Sequence, residues 1–209
     1  HSGALLFSRN DLKSQAAVGT GPGVLGDPKK LSVRKVGSTY RTEDALRPPT
    51  LLTFDLKKNL NRVKSFLNGT TALVASDLAT DADNAWTDPA IVDAHAYAGW
   101  VYDFFYKRFG RRGLDDANVL VLSVVHPADR ASVASQSADT IGTFYLNAFY
   151  AGEGVMVFGE GLPPNFVDDL NRKWNYTSGA LDVFAHELTH GVTDYSSRLI
   201  YEKESGALN

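Results

Sequence analysis

The chain has 209 residues, of which 44% are hydrophobic and 22% charged, an ordinary globular balance with enough length for a sizeable core. Its formal charge of −3 comes from 21 Lys and Arg against 24 Asp and Glu; without a basic excess, nucleic acid is not an expected partner, and no run of about eighteen apolar residues is present to span a membrane. Cysteine is absent, which excludes a disulfide framework and any cysteine nucleophile or metal ligand.

In chain order, His1 to Phe7 hold too short an apolar stretch for an intact signal peptide, so a mature, processed protein is expected. Gly19, Gly21 and Gly23 lie in a glycine-rich segment that lacks the G-K-[ST] and the following helix of a phosphate loop, and they are read as turns. Residues 31 to 75 read as strands: Leu31 to Val36, Ser38 to Thr42 and Thr50 to Leu56 are broken by Gly37 and Pro48-Pro49. Lys29, Lys30, Arg34 and Lys35 form a solvated strand face, and Asn68-Gly69-Thr70 and Asn175-Tyr176-Thr177 match the weak glycosylation pattern. Asp81 and Asp83 stand two apart in a loop, which suits either oxygen ligation of a hard cation or a turn with capping aspartates.

Asp88 to Phe109 reads as a helix, capped by Asp88, opened by Pro89 and ended by Gly110, with His95 as a structural histidine. Asn118 to His126 is a buried strand stopped by Pro127, and His126 at its end is given no role. Residues 144–149 alternate as on a strand; after Gly152 and Gly154, Val155 to Gly159 return as the second arm of a hairpin. Gly161 to Ser178 reads as a long connection carrying a short surface helix, and Ser178 is placed to cap the helix that follows.

That helix contains His186-Glu187-Leu188-Thr189-His190. Residues i and i+4 share a helix face, so the two imidazoles can reach one metal, while Glu187 is turned by about 100° and can approach a metal-held water without being a ligand. Zinc suits two neutral imidazoles and keeps a position open for water, whose proton a neighbouring carboxylate can take. The five-letter pattern also occurs by chance in ordinary helices. Leu181, Val183, Phe184, Ala185, Leu188 and Val192 predict a largely buried helix, in which two histidines and a glutamate need partners. Asp182 falls in its first turn, near the positive end of the dipole.

The run from His186 to Tyr195, followed by Leu199-Ile200-Tyr201 and Glu204 to Asn209, resembles the thermolysin family of secreted zinc endopeptidases. The resemblance covers roughly residues 17 to 209 and is densest after 140; residues 1 to 16 would be an N-terminal extension or propeptide remnant. It implies zinc on His186 and His190, Glu187 as the proton-transferring carboxylate, and Tyr201 as a donor to the oxyanion. It implies that Asn147, Ala148 and Phe149 hold substrate backbone beside the metal, that Val183 lines an apolar pocket, and that Asn209 supports His190. It also implies structural calcium, with Asp81, Asp83 and Asp182 as candidate ligands. The third zinc ligand in that family is a glutamate twenty residues after the second histidine, here position 210, so a C-terminal half carrying it, in the same or a separate chain, is an expected partner besides peptide or protein substrates.

The expected fold class is α+β: a sheet-rich lobe of thermolysin type with one long internal helix and a metal-binding helix near the C-terminus. The expected function is secreted zinc endopeptidase, with this chain as its N-terminal half and weak activity when isolated. The alternatives are a non-catalytic metal- or calcium-binding interaction module, and another zinc hydrolase such as an aminopeptidase.

Overall fold

The computed structural model describes residues 14–197 and Leu199. The architecture is α+β, with two four-stranded sheets around a long central helix. The first sheet is antiparallel: β1 (Ser14–Pro22), β2 (Pro28–Val36), β3 (Thr39–Arg41) and β5 (Thr80–Asp81), in the order β1-β2-β3-β5. The second runs β4 (Leu51–Asp55), β6 (Val121–Val125), β8 (Val155–Phe158), β7 (Ala148–Gly152). In it β4, β6 and β8 are mutually parallel, and β7 is an antiparallel edge strand.

The apolar run at residues 119–125 shows why the central strands have no polar face. Val121 and Val125 of β6 pack into one hydrophobic cluster, and Leu122 and Val124 into another. β8 divides its residues in the same alternating way, Met156 and Phe158 against Val155 and Val157. Both faces of a parallel sheet are covered, so period-two amphipathicity vanishes from the sequence.

One face is covered by α2 (Pro89–Phe109). Its start is set by the Asp88 side chain, which accepts from the N–H of Ala90 and Ile91, and by Pro89; its end is set by Gly110 in the left-handed region at φ 67°. Nearly every residue from Ala90 to Tyr102 is buried, because α2 lies between the two sheets. Two buried polar anchors hold it. His95 bonds Thr53 Oγ1 at 2.9 Å and the Ser32 carbonyl at 2.6 Å, one partner on each sheet, and burial keeps its pKa below the ordinary value. Asp93 pairs with Lys29 Nζ at 2.7 Å and accepts from the N–H of Val24 at 2.7 Å, so Lys29, expected on a solvated strand face, is instead buried in its ion pair.

Several expectations are corrected. Gly19 and Gly21 lie inside or beside no turn but in β1, where a Cβ at Gly21 would overlap the Trp86 carbonyl; glycine there permits close approach of two backbones. The region expected as strand through residue 75 contains α1 (Leu60–Leu67), capped by Asn59 and burying Val63 and Phe66. The expected strand at 144–149 begins only at Ala148; α3 (Ala138–Phe144), capped by Ser137, occupies the residues before it. The connection from 161 to 176 holds no surface helix. Ser178 does not cap the helix after it: its hydroxyl donates to the Ala90 carbonyl at 3.2 Å, and Ala180 is the cap residue, without a side-chain bond.

Candidate metal and peptide site

The histidines and Glu187 stand on α4 (Leu181–Ser196). Phe184 and Leu188, one turn apart, drive one face into the core. The Phe184 ring stacks on Phe158 of β8 at 4.8 Å and meets Tyr97 of α2 edge-on at 6.3 Å. Gly191 continues this face, where a Cβ would crowd the Leu114 side chain and the Tyr150 ring. The helix is therefore only half-buried: His186 is exposed, His190 is partly buried, and Leu181 is 41% exposed. The expectation that burial alone makes all three polar residues need partners holds for Glu187 only, which is 6% exposed.

The i,i+4 spacing brings the two rings together. The Nε2 atoms of His186 and His190 are 3.0 Å apart, with rings at 88° and centroids 4.6 Å apart. Two imidazole nitrogens bound tetrahedrally to zinc at about 2.0–2.1 Å stand roughly 3.3 Å from each other, so this pair fits one small cation. Among the described residues no cluster of three or more His, Cys, Asp or Glu could hold a metal. The two imidazoles stand without a third such side chain placed to share a metal with them among the described residues.

Glu187 projects from the adjacent face toward β7. Its Oε2 accepts from the backbone N–H of Tyr150 at 2.9 Å. Burial pushes its carboxyl above the ordinary value, opposed by the positive character of His186 and His190. Tyr150 also anchors the hairpin: its hydroxyl bonds Asp194 Oδ2 at 3.2 Å and accepts from the N–H of Gly154 at 3.2 Å. One residue thus joins α4 to the edge strand through both its backbone and its side chain.

Beside His186 and Glu187 lies a cleft of about 510 Å³, walled by Asn147, Ala148, Trp174 and Val183. A second recess of about 350 Å³ continues past Phe149 and Tyr150 to His190. The structure brings Asn147, Ala148, Phe149, Val183, Asp182, His186, Glu187 and His190 to this shared surface. Because β7 is the edge of its sheet, an extended peptide can pair with its outer side.

Asp81 and Asp83 are not part of it. Asp81 Oδ1 accepts from the N–H of Asp83 and Asn84, and Asp83 Oδ1 from the N–H of Ala85, so both carboxylates close the turn after β5. Tyr201 and Asn209 lie outside the described residues. Two participants have no signal in the sequence. Trp174 reaches the cleft only because the long connection folds back, and Tyr150 contributes through its backbone, which side-chain identity does not report.

Residues 18–194 match the catalytic domain of the thermolysin metallopeptidases. Bacillolysin of Bacillus cereus is 41% identical over 195 residues, covering 92% of this chain and 28% of that protein. Bacillolysin of Brevibacillus brevis is 38% identical over the whole chain and 33% of its own length. The solved precursor of protealysin, a metalloproteinase from Serratia proteamaculans, superposes with a TM-score of 0.53 at 27% identity, over 76% of this chain and 38% of that one. The chain spans about a third of the length of the curated relatives it matches. With matching sequence over most of its length and a fold that superposes on a solved metalloproteinase precursor, the chain belongs to the thermolysin metallopeptidase family.

Proposed function

We propose that this chain is the N-terminal lobe, from about residue 17, of a secreted zinc endopeptidase. The observation that carries the reading is the meeting of the His186 and His190 Nε2 atoms at 3.0 Å, beside a buried Glu187 and against an edge strand. His186 and His190 would hold zinc, and a carboxylate outside the described residues would complete the set. Bound there, zinc supplies Lewis acidity at neutral pH. The chain's own groups do the rest. The Tyr150 N–H holds Glu187 Oε2 and so fixes the plane of the carboxylate. The other oxygen takes a proton from the attacking water and later delivers it to the departing amine nitrogen. Asn147 and Ala148 position the peptide along β7, and Val183 and Trp174 receive an apolar side chain in the larger recess. Tyr201 donates to the oxyanion, and Asn209 supports His190. The aspartates at 81, 83 and 182 are candidate ligands for structural calcium.

Replacing Glu187 with Gln in the intact parent protein tests this. The expected result is a loss of peptidase activity of about 10²- to 10⁴-fold with zinc content unchanged. Unaltered activity would sink the assignment of Glu187; zinc retention with no peptidase activity in the native protein would favour a non-catalytic metal-binding module.

A further inference from the structure

The long connection before α4 builds a second pocket that the peptidase chemistry does not use. Leu162 to Trp174 is a closed loop: the N–H of Leu162 bonds the Trp174 carbonyl at 3.0 Å, so its ends meet. Inside it, Asp168 acts as the hub. Its Oδ1 accepts from the N–H of Leu170 and Arg172, and its Oδ2 accepts from Arg172 Nε at 2.7 Å and from Trp174 Nε1 at 2.9 Å. These bonds hold the carboxyl of Asp168 well below the ordinary carboxylate range.

The loop is a partition with two working sides. Trp174 faces the cleft that holds His186 and Glu187. Phe166 and Val167, on the other side, close a separate pocket of about 380 Å³ over Val133, Ile141 and Gly142. Leu146 lines both pockets and stands immediately before Asn147, at the start of the edge strand. A peptide laid along β7 and continued past Asn147 therefore runs from the first recess to the second. The second pocket has apolar walls, while Asp168 and Asp169 place acidic groups at it.

We propose that this pocket is a second specificity pocket for the peptide substrate, taking an apolar side chain from a residue beyond those flanking the scissile bond and disfavouring an acidic one. The proposal rests on the peptidase reading of the neighbouring cleft. An extended chain presents every second side chain to the same face, so the two pockets can be filled by one substrate.

Gly142 makes the test clean. It lines the pocket from the exposed side of α3, and a Cβ built there meets nothing within 4 Å, so the backbone accepts Gly142→Leu, which adds an apolar side chain at the pocket. The intact parent protein would be given peptides of one length in which Leu, Gly or Asp is walked through each position on either side of the bond. In the native protein, one position outside the flanking pair is expected to favour Leu over Gly by about tenfold in kcat/KM, as burial of one apolar side chain allows, with Asp the poorest. Gly142→Leu is expected to bring that ratio close to one. Phe166→Asp, at a residue already 42% exposed, is expected to lower the same ratio by removing a wall. The ratio is internal to each protein, so loss of folded material does not move it. Equal rates for Leu and Gly at every outlying position, or a Leu preference that survives both substitutions, overturns the pocket while leaving the peptidase reading intact. No cleavage of any peptide overturns both.

Discussion

Two groups of charged and polar side chains in this molecule are built on opposite plans. Around α2 the ionic groups are closed on one another. Lys29, 3% exposed, sits between Asp93 and Asp27 at 2.7 and 2.6 Å. His126 lies between Glu160 at 3.1 Å and Asp88 at 3.0 Å, so one cation ties the end of β6, the end of β8 and the cap of α2. On α4, by contrast, two imidazole nitrogens of the same kind meet at 3.0 Å near the surface. Two protonated imidazoles repel at that distance, whereas a shared cation holds them together. The first plan spends charge on holding the fold; the second, on the proposed reading, would hold zinc.

Substitutions test this contrast, and the largest expected effect falls on the α4 histidines. His190→Ala in the intact protein is expected to abolish stoichiometric zinc, read by metal analysis after dialysis; full zinc retention would show that the helix pair is not the site. Next comes the α2 network. Asp93→Ala leaves Lys29 buried against the exposed Asp27 alone and orphans the N–H of Val24. It is expected to cost about 3–5 kcal/mol in urea unfolding; a change below about 1 kcal/mol would mean that the pair acts like a surface one.

The third test is a pH profile. His126 is raised to about 10 by its two carboxylate partners against the opposing effect of burial. A raised folded-state value means its contribution is fully present below the unfolded value of about 6.5 and is lost as pH climbs to about 10. Asp88 is lowered by its hydrogen bond and charge pairing with His126, despite burial, so its contribution is present above the unfolded carboxylate value and is lost in acid. Stability should therefore decline on both sides, and His126→Gln should flatten the alkaline limb by a few kcal/mol. An alkaline limb unchanged by that substitution would remove His126 from the network. The smallest effect is expected back on α4: His186→Gln in metal-free protein should shift stability by no more than about 0.5 kcal/mol, because His186 is exposed. A larger loss would make His186 part of the fold.

His126 also shows where reading a sequence stops. A lone histidine before a proline gives no hint of Asp88 and Glu160, which lie 38 and 34 residues away. His95 was legible as structural because it sat inside a long apolar helix, although Thr53 and Ser32 could not be named as its partners. α2 was legible to the residue because Asp88, Pro89 and Gly110 are local signals with local causes. α3 was not, because its seven residues end at Phe144 with Tyr145 as the cap, an aromatic pair that reads as strand. Ser178 was misassigned because a serine before a helix is a cap by default, and only packing against Ala90 redirects its hydroxyl.

The features legible from sequence are those that depend on neighbours along the chain. They comprise the α+β class, the long helix, the buried strands, the hairpin, and the meeting of His186 and His190, since an i,i+4 spacing on a helix places two side chains together wherever that helix goes. Tertiary structure alone decided what depends on distant chain segments: that Glu187 is buried against the Tyr150 backbone, that Trp174 walls the cleft, and that Leu146 is shared by two pockets. The physical reason is that hydrogen bonds and apolar contacts across 10 to 40 residues leave no period or spacing in the sequence; they exist only once α4, β7 and the loop before α4 are packed on one core.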